Sequence, residues 1–405
     1  MSITYNLPKN LAFIVKNFDD IIQTHIDTIS VATLAGLASL ANGTTVSLTN
    51  EGKGRPLIIY AAAFMPSGTG KSAAANTVRK YLLQWRESEL ITQLKQGQKN
   101  IQDIFLESAS AEGLEASLSN NSSPFFFLDE LGMLIKMSRN DTVKQALIRA
   151  LMGIFDSGTF VTRRLKEDRR ATLIQAKGLG VFASSTLGDS NLSNQDIKDM
   201  IQNGALNRFL VTFSGIKSIP LKDELTLKEE AEVANFALRF HQTATNKHYS
   251  FDNLALKFYQ DFHEKINKEY LDKLYLQDDG AGLTVRQLTF LQRIAAIFQI
   301  CLDVEKNDQK NNLISFEACE RSYQFLDFLD QNHFSQINLY TNSKSGKISP
   351  EIRVANKISK EPGITLRKLV TDLSWCLKSD QVKNALDNLQ LTKKILDKDG
   401  QLYKV

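Results

Sequence analysis

Leu57-Ile-Ile-Tyr-Ala-Ala-Ala-Phe-Met65-Pro-Ser-Gly-Thr-Gly-Lys71-Ser72 is the stretch on which the reading of this chain turns. Its first half is a continuous apolar run of strand length. Such a run fits a strand covered on both faces, as in a parallel sheet with helices on either side. Its second half gathers Gly68, Gly70, Lys71 and Ser72. A backbone that curls around phosphates needs glycines so that several N–H groups can point inward. It also needs a lysine for the β- and γ-phosphates and a hydroxyl for Mg2+. Pro66, Ser67, Gly68, Thr69, Gly70, Lys71 and Ser72 are therefore the candidate nucleotide ligands, with ATP and Mg2+ the expected cofactors. Where the phosphate-loop pattern has its first glycine this chain has Met65, leaving Pro66 and Gly68 to shape the turn.

Further along, Pro124-Phe-Phe-Phe-Leu128 is another buried strand and ends in Asp129-Glu130. Acidic residues at that end of a strand lie at the crevice beside the phosphate loop. Asp129 is expected to hold Mg2+, directly or through water, and Glu130 to orient and deprotonate the attacking water. The competing reading is an acidic pair that only complements a helix dipole. A glutamate directly after the aspartate favours the AAA+ branch of P-loop ATPases, by analogy of fold. Ser184-Ser185-Thr186 ends a further strand, and Ser185 is the candidate sensor of the γ-phosphate. Arg208 precedes the last core strand. It is read either as a guanidinium that stabilises transition-state charge on a neighbouring subunit's nucleotide or as half of a structural ion pair. Arg286 and Arg293 are further candidates for sensing nucleotide.

The organisation around these motifs is legible from periodicity. Residues 1–50 form an N-terminal helical region, whose second helix stops at Asn42-Gly43. Within 51–217, strands at 57–64, 103–107, 124–128, 179–185 and 208–213 alternate with helices, so the fold class is α/β: a P-loop NTPase, AAA+-like, with a three-layer core. Residues 218–340 show only helical periodicity and are expected to be an all-α lid domain. A polar stretch, Thr341-Asn-Ser-Lys-Ser-Gly-Lys347, leads to a small module at 345–405. Three apolar stripes and a turn signal at Lys398-Asp-Gly400 between two short strands read as a C-terminal winged-helix domain. Lys378, Lys383 and Asn384 fall on or near the polar face of its third helix. They are candidate DNA contacts, or protein contacts if the module serves as an adaptor.

Between the acidic strand and the sensor strand, Thr159–Arg164 and Ala171–Gln175 have hairpin character. The intervening tip carries Lys166, Arg169 and Arg170, placed to contact the backbone of a threaded strand, or else forming a solvated charged face. The net charge of the whole chain is +4, whereas residues 344–405 hold 13 Lys/Arg against 7 Asp/Glu, so any nucleic-acid footprint concentrates there. Three separated cysteines with no CxxC pair argue against a zinc site. No run of about 18 apolar residues and no basic, then apolar, leader lead to the expectation of a cytoplasmic protein with no membrane partner.

The motif set resembles the YfjI-like family of P-loop proteins from prophages, plasmids and mobile elements, often linked to primase modules. The resemblance runs over about residues 30–335. It rests on Ala38-Ser-Leu-Ala-Asn-Gly43, Pro66-Ser-Gly-Thr-Gly-Lys-Ser72, Ser110-Ala-Glu-Gly-Leu114, Leu128-Asp-Glu-Leu-Gly132, Asn207-Arg-Phe-Leu210 and Arg293-Ile-Ala-Ala296. It implies an ATPase of DNA replication or mobile-element maintenance, helicase-like by analogy; primase residues are not evident in this sequence, so the chain reads as the motor half alone. The expected function is thus a Mg-ATP-dependent, ring-forming homo-oligomeric helicase or translocase acting on single-stranded or forked DNA, with a primase or other replication protein as a further partner. The alternative is an ATP-switched DNA- or protein-binding regulator, initiator or phage-defence component that does not unwind.

Overall fold

The structure is a computed structural model and describes residues 2–66, 69–86, 88, 105–107, 110–119, 123–138, 141–163, 171–186, 194–213, 220–275, 281–334, 350–373, 377–391, 395–398 and 400–404. The chain divides into two compact units, Met1–Gln336 and Ile337–Val405.

The first unit is built on a five-stranded, wholly parallel sheet. Its strands in chain order are β1 (Ile58–Met65), β2 (Phe105–Glu107), β3 (Phe125–Leu128), β4 (Leu179–Thr186) and β5 (Leu210–Phe213). Their spatial order is β2-β3-β4-β1-β5, so β4 lies between the acidic strand β3 and the loop strand β1. All of β1 and β3 is buried, as their unbroken apolar sequences require.

Helix α1 (Ile26–Leu40) covers one face. It is buried over Asp27–Leu40, which its small, apolar composition allows on every side. Close approach depends on Gly180 of β4, where a Cβ would stand 1.8 Å from the Ala35 carbonyl oxygen. Side chains alternate along a strand. Tyr60, one residue beyond the partner of Gly180, therefore faces the other way, and its hydroxyl donates to Leu151 O at 2.9 Å. Leu151 belongs to helix α4 (Thr142–Ser157), capped by Asp141 at its start and ended by left-handed Gly158. Helices on both faces of a parallel sheet make a mixed α/β arrangement compatible with a three-layer core, in which α1 is itself a layer.

The expectation of only helices over 218–340 needs correction. Helices Leu227–Ala244, Asn253–Tyr275, Ala281–Lys306 and Phe316–Leu329 are present. Two short strands, His248–Phe251 and Leu313–Ile314, also join Thr45–Ser47 and Arg55–Pro56 in a second small sheet. Four-residue and two-residue strands carry too little alternation to be seen against helical neighbours. Helix α5 (Ala281–Lys306) contains a segment, Gly282–Lys306, long and apolar enough to cross a membrane, but 89% of its most apolar window is buried inside the protein. It is a core helix: Arg293 within it, 2% exposed, donates to Ile58 O and Phe155 O and stacks on the Phe155 ring.

The second unit has helices Pro350–Lys360, Leu366–Leu373 and Ser379–Leu391, with an antiparallel sheet ordered Ile364–Thr365, Gln401–Lys404, Ile395–Lys398. Val354, Ile358, Leu369, Val382, Leu389 and Leu402 are among the residues of its core. Lys357 ties its first two helices together, bonding Glu361 at 3.1 Å and Asp372 at 2.8 Å.

Candidate functional site

Because the sheet is parallel, Met65, Leu128, Thr186 and Phe213 all end at one edge, the place where open α/β sheets put their ligand crevice. The loop after β1 leads into helix α2 (Lys71–Thr77), which continues through a π-helical turn, Val78–Leu83. Gly70 stands just before Lys71 with φ of +78°, a left-handed conformation that L side chains rarely adopt. Thr69 is buried and its hydroxyl donates to Pro66 O at 2.7 Å, while buried Thr24 donates to Gly70 O at 2.7 Å and braces the loop from outside. Ser67 and Gly68 lie outside the described residues. Ser72 occupies the second position of α2.

Lys71 points across this edge. Its Nζ donates to Glu130 Oε1 at 2.9 Å and to the Thr186 hydroxyl, which in turn donates to Glu130 Oε1 at 3.1 Å. Beside them, Asp129 Oδ1 accepts from Ser184 Oγ at 2.7 Å and from the Glu130 N–H at 3.2 Å. The turn between β3 and the helix α3 that follows it (Leu131–Ser138) thus sets Glu130 against the loop lysine and Asp129 against Ser184 on the neighbouring strand. Glu130 itself has φ of +56°, a conformation uncommon outside glycine and found at functional turns. Burial acts to raise its pKa, but the Lys71 ammonium and the Thr186 hydroxyl outweigh that and hold the carboxyl below the usual glutamate range. Glu130 Oε2 is buried with no hydrogen-bond partner among the described residues, and the Asp129 contacts with Ser184 and the Glu130 N–H both fall on its Oδ1. The Lys71 ammonium, the Ser72 hydroxyl and the Asp129 carboxylate are the groups here that could hold a metal-bound polyphosphate.

Ser185, the expected sensor, is turned away. Its hydroxyl accepts the Gly132 N–H at 3.1 Å and so caps the start of α3. Its neighbours Ser184 and Thr186 are the ones that reach the carboxylates and the lysine. Strand alternation in Ser184-Ser185-Thr186 already separates the middle residue from the outer two. Thr24 was not signalled by the sequence, since the contact bridges 45 residues or more.

Arg208 lies at the opposite edge of the sheet, before the first residue of β5. It is 8% exposed and grips both oxygens of Asp156, with Nε at 3.1 Å, and also donates to Gly204 O. Arg286 shares the same carboxylate at 2.8 Å. Within one chain, then, Arg208, Arg286 and Arg293 are grouped at the far edge from Lys71, in an arrangement that meets the ion-pair reading of Arg208.

The hairpin is present as Thr159–Arg163 paired antiparallel with Ala171–Gln175. Its tip, with Lys166, Arg169 and Arg170, lies outside the described residues. In the second unit Lys378, just before helix Ser379–Leu391, and Lys383 and Asn384 on it are exposed, together with Asp380 and Asp387 of that helix. No protein-family model matches this chain, and no curated protein matches it.

Proposed function

We propose that this protein is a P-loop ATPase of AAA+-like architecture with a C-terminal winged helix, and that it acts on DNA as a homo-oligomeric helicase or translocase. The observation that carries the reading is the convergence of Lys71, Glu130, Asp129 and Thr186 at the C-terminal edge of a parallel sheet ordered β2-β3-β4-β1-β5. A left-handed Gly70 braced by Thr24 supports it, since a Cβ there would stand 2.9 Å from Thr24 Oγ1. So does the motif set that resembles YfjI-like proteins.

In this reading Lys71 binds the β- and γ-phosphates and α2 directs its first N–H groups at them. Ser72 and Asp129 hold the Mg2+, which neutralises charge on the phosphoryl oxygens when bound. Glu130 aligns the attacking water and takes its proton at Oε1 or Oε2. Thr186, one strand over, fixes the direction of the Glu130 carboxylate, and Ser184 does the same for Asp129. Lys166, Arg169 and Arg170 contact the phosphate backbone of a single strand, and the winged helix adds contacts from Lys378, Lys383 and Asn384.

The test is the ATPase rate with and without single-stranded DNA, run beside strand displacement from a forked duplex. Stimulation with displacement is expected; DNA binding without displacement removes the motor. Replacing Arg169 and Arg170 together should lower the DNA-stimulated rate and spare the basal one.

One observation favours a second reading, an ATP-switched binding module. The exposed face of helix Ser379–Leu391 carries Asp380 and Asp387 beside Lys383, so it is not a basic surface. That balance suits a protein partner, such as a primase, as well as DNA, and ATP would then control assembly rather than movement.

A further inference from the structure

His333 is buried, 4% exposed, in the helical turn Asp330–Phe334 close to the end of the first unit. Its Nδ1 accepts the backbone N–H of Phe213 at 3.1 Å, which leaves the ring proton on Nε2. Nε2 lies 2.9 Å from Asp27 Oδ2, and therefore donates to it. Asp27 is 3% exposed and sits in the first turn of α1. Two residues before it, His25 caps the same helix by accepting the Asp27 N–H at 3.3 Å. Three residues before it, Thr24 donates to Gly70 O. The hydroxyls of Thr28 and Thr212 also meet, at 3.0 Å, joining α1 to the end of β5.

These contacts form one path. Phe213 closes the strand beside β1, His333 spans from it to Asp27, and Asp27 fixes the start of α1 from which Thr24 reaches over Gly70. A buried aspartate needs a donor, and here the ring N–H supplies it. The Thr28–Thr212 bond anchors the same end of α1, but it is the His333–Asp27 contact that lies directly before Thr24, and a loop that must wrap phosphates is sensitive to a displacement of that residue.

We propose that His333 is a positioning residue for the phosphate loop: through Asp27 and Thr24 it holds Gly70 in the conformation that presents Lys71. The proposal rests on the nucleotide reading above. It adds that nucleotide affinity is set from the last helical turn of the first unit, a part of the chain far from the loop in sequence.

Three single variants and one double variant test it through the Kd of a fluorescent ATP analogue with Mg2+, with Tm measured alongside. In His333→Asn the shorter amide keeps an acceptor near Phe213 but withdraws from Asp27; in His333→Gln the longer amide returns a donor to Asp27. Affinity should fall about tenfold in His333→Asn, the scale of one lost hydrogen bond to a charged group, and recover in His333→Gln. Thr24→Val should weaken binding alone, and adding His333→Asn should weaken it little further, because both break the same path. Equal affinities for His333→Asn, His333→Gln and wild type, or additive losses in the double variant, overturn the proposal even where Tm falls. Failure of the wild-type protein to bind the analogue removes the nucleotide reading and this proposal with it.

Discussion

Lys71 Nζ and Glu130 Oε1 lie 2.9 Å apart, an ion pair that joins the first residue of helix α2 to the second residue after β3 across the intervening strand β4. The pair brings the group proposed to bind phosphate into contact with the group proposed to act as base. It also explains the direction in which the Glu130 carboxyl is perturbed: a cation and a hydroxyl at one oxygen stabilise its charged form.

Separate losses are expected from the two partners. Lys71→Ala should lose ATP binding, measured by calorimetry. Glu130→Gln should keep it, while single-turnover hydrolysis falls by about 10²–10⁴, the range of one general base. Normal hydrolysis in Glu130→Gln would take the base assignment away. Acid dependence follows from the sign of the shift. A carboxyl whose folded pKa is depressed contributes stability above the unfolded value of about 4.3, and loses it as pH falls through the lower folded value. Denaturation curves between neutral pH and that window should show a steeper acid loss in wild type than in Glu130→Gln.

Arg208 gives a prediction with two arms. Held by Asp156 at the edge opposite Lys71, it cannot serve the proposed nucleotide site of its own chain without moving across the sheet. If it acts on a neighbour, mixing Arg208→Ala chains with Lys71→Ala chains should restore part of the ATPase rate that each lacks alone, because some interfaces then combine an intact loop with an intact arginine. If it is a structural ion pair only, Asp156→Ala and Arg208→Ala should lower Tm together and mixing should restore nothing. Arg208 is buried while the Asp156 side chain is 37% exposed, so solvent screens one side of the pair; removing Asp156 leaves the buried guanidinium without its carboxylate, and the Tm of Asp156→Ala should fall in either case.

Gly180 marks where helix α1 and the sheet touch. A Cβ at this position would stand 1.8 Å from Ala35 O and 2.7 Å from its carbonyl carbon, both backbone atoms that no rotamer change can move. Gly180→Ala should therefore destabilise the protein by about 1–3 kcal/mol or more, read as a lowered denaturant midpoint. An unchanged midpoint would mean that the helix does not rest on the strand here.

The contrast between this contact and the loop shows what was legible in the sequence. Ile58–Met65 and Phe125–Leu128 announce themselves because burial on both faces demands unbroken apolar runs. Gly70, Lys71 and Asp129-Glu130 are visible because their chemistry is packed into consecutive residues. The sequence offers Ser184-Ser185-Thr186 as a polar strand end and names Ser185, whereas Thr186 is the residue that meets Glu130; which of them share the carboxylate side is decided by strand alternation once the face is known. Thr24, Asp156 and His333 were not visible at all. Each is an ordinary polar residue whose role comes from a partner 46, 52 or 306 residues away, and composition carries no record of such pairings.

A last prediction concerns a buried carboxylate outside the site. Asp303, 2% exposed on helix α5, accepts from Gln299 at 2.7 Å, from Asn311 at 2.8 Å and from the Tyr249 hydroxyl at 3.2 Å. Burial raises its pKa, and these three donors and the Lys247 ammonium offset only part of that rise. The sign is opposite to that of Glu130. A carboxyl with a raised folded pKa favours folding while it is protonated, and that contribution is lost as pH rises from its unfolded value, about 3.9, through the raised folded value. Asp303→Asn removes the titration and keeps one acceptor oxygen. Unfolding free energy in urea, measured from pH 4 to pH 8, should therefore decline with pH in wild type relative to Asp303→Asn over that interval. Parallel curves for the two proteins would show that the network holds Asp303 charged at no net cost, with its three donors fully offsetting burial.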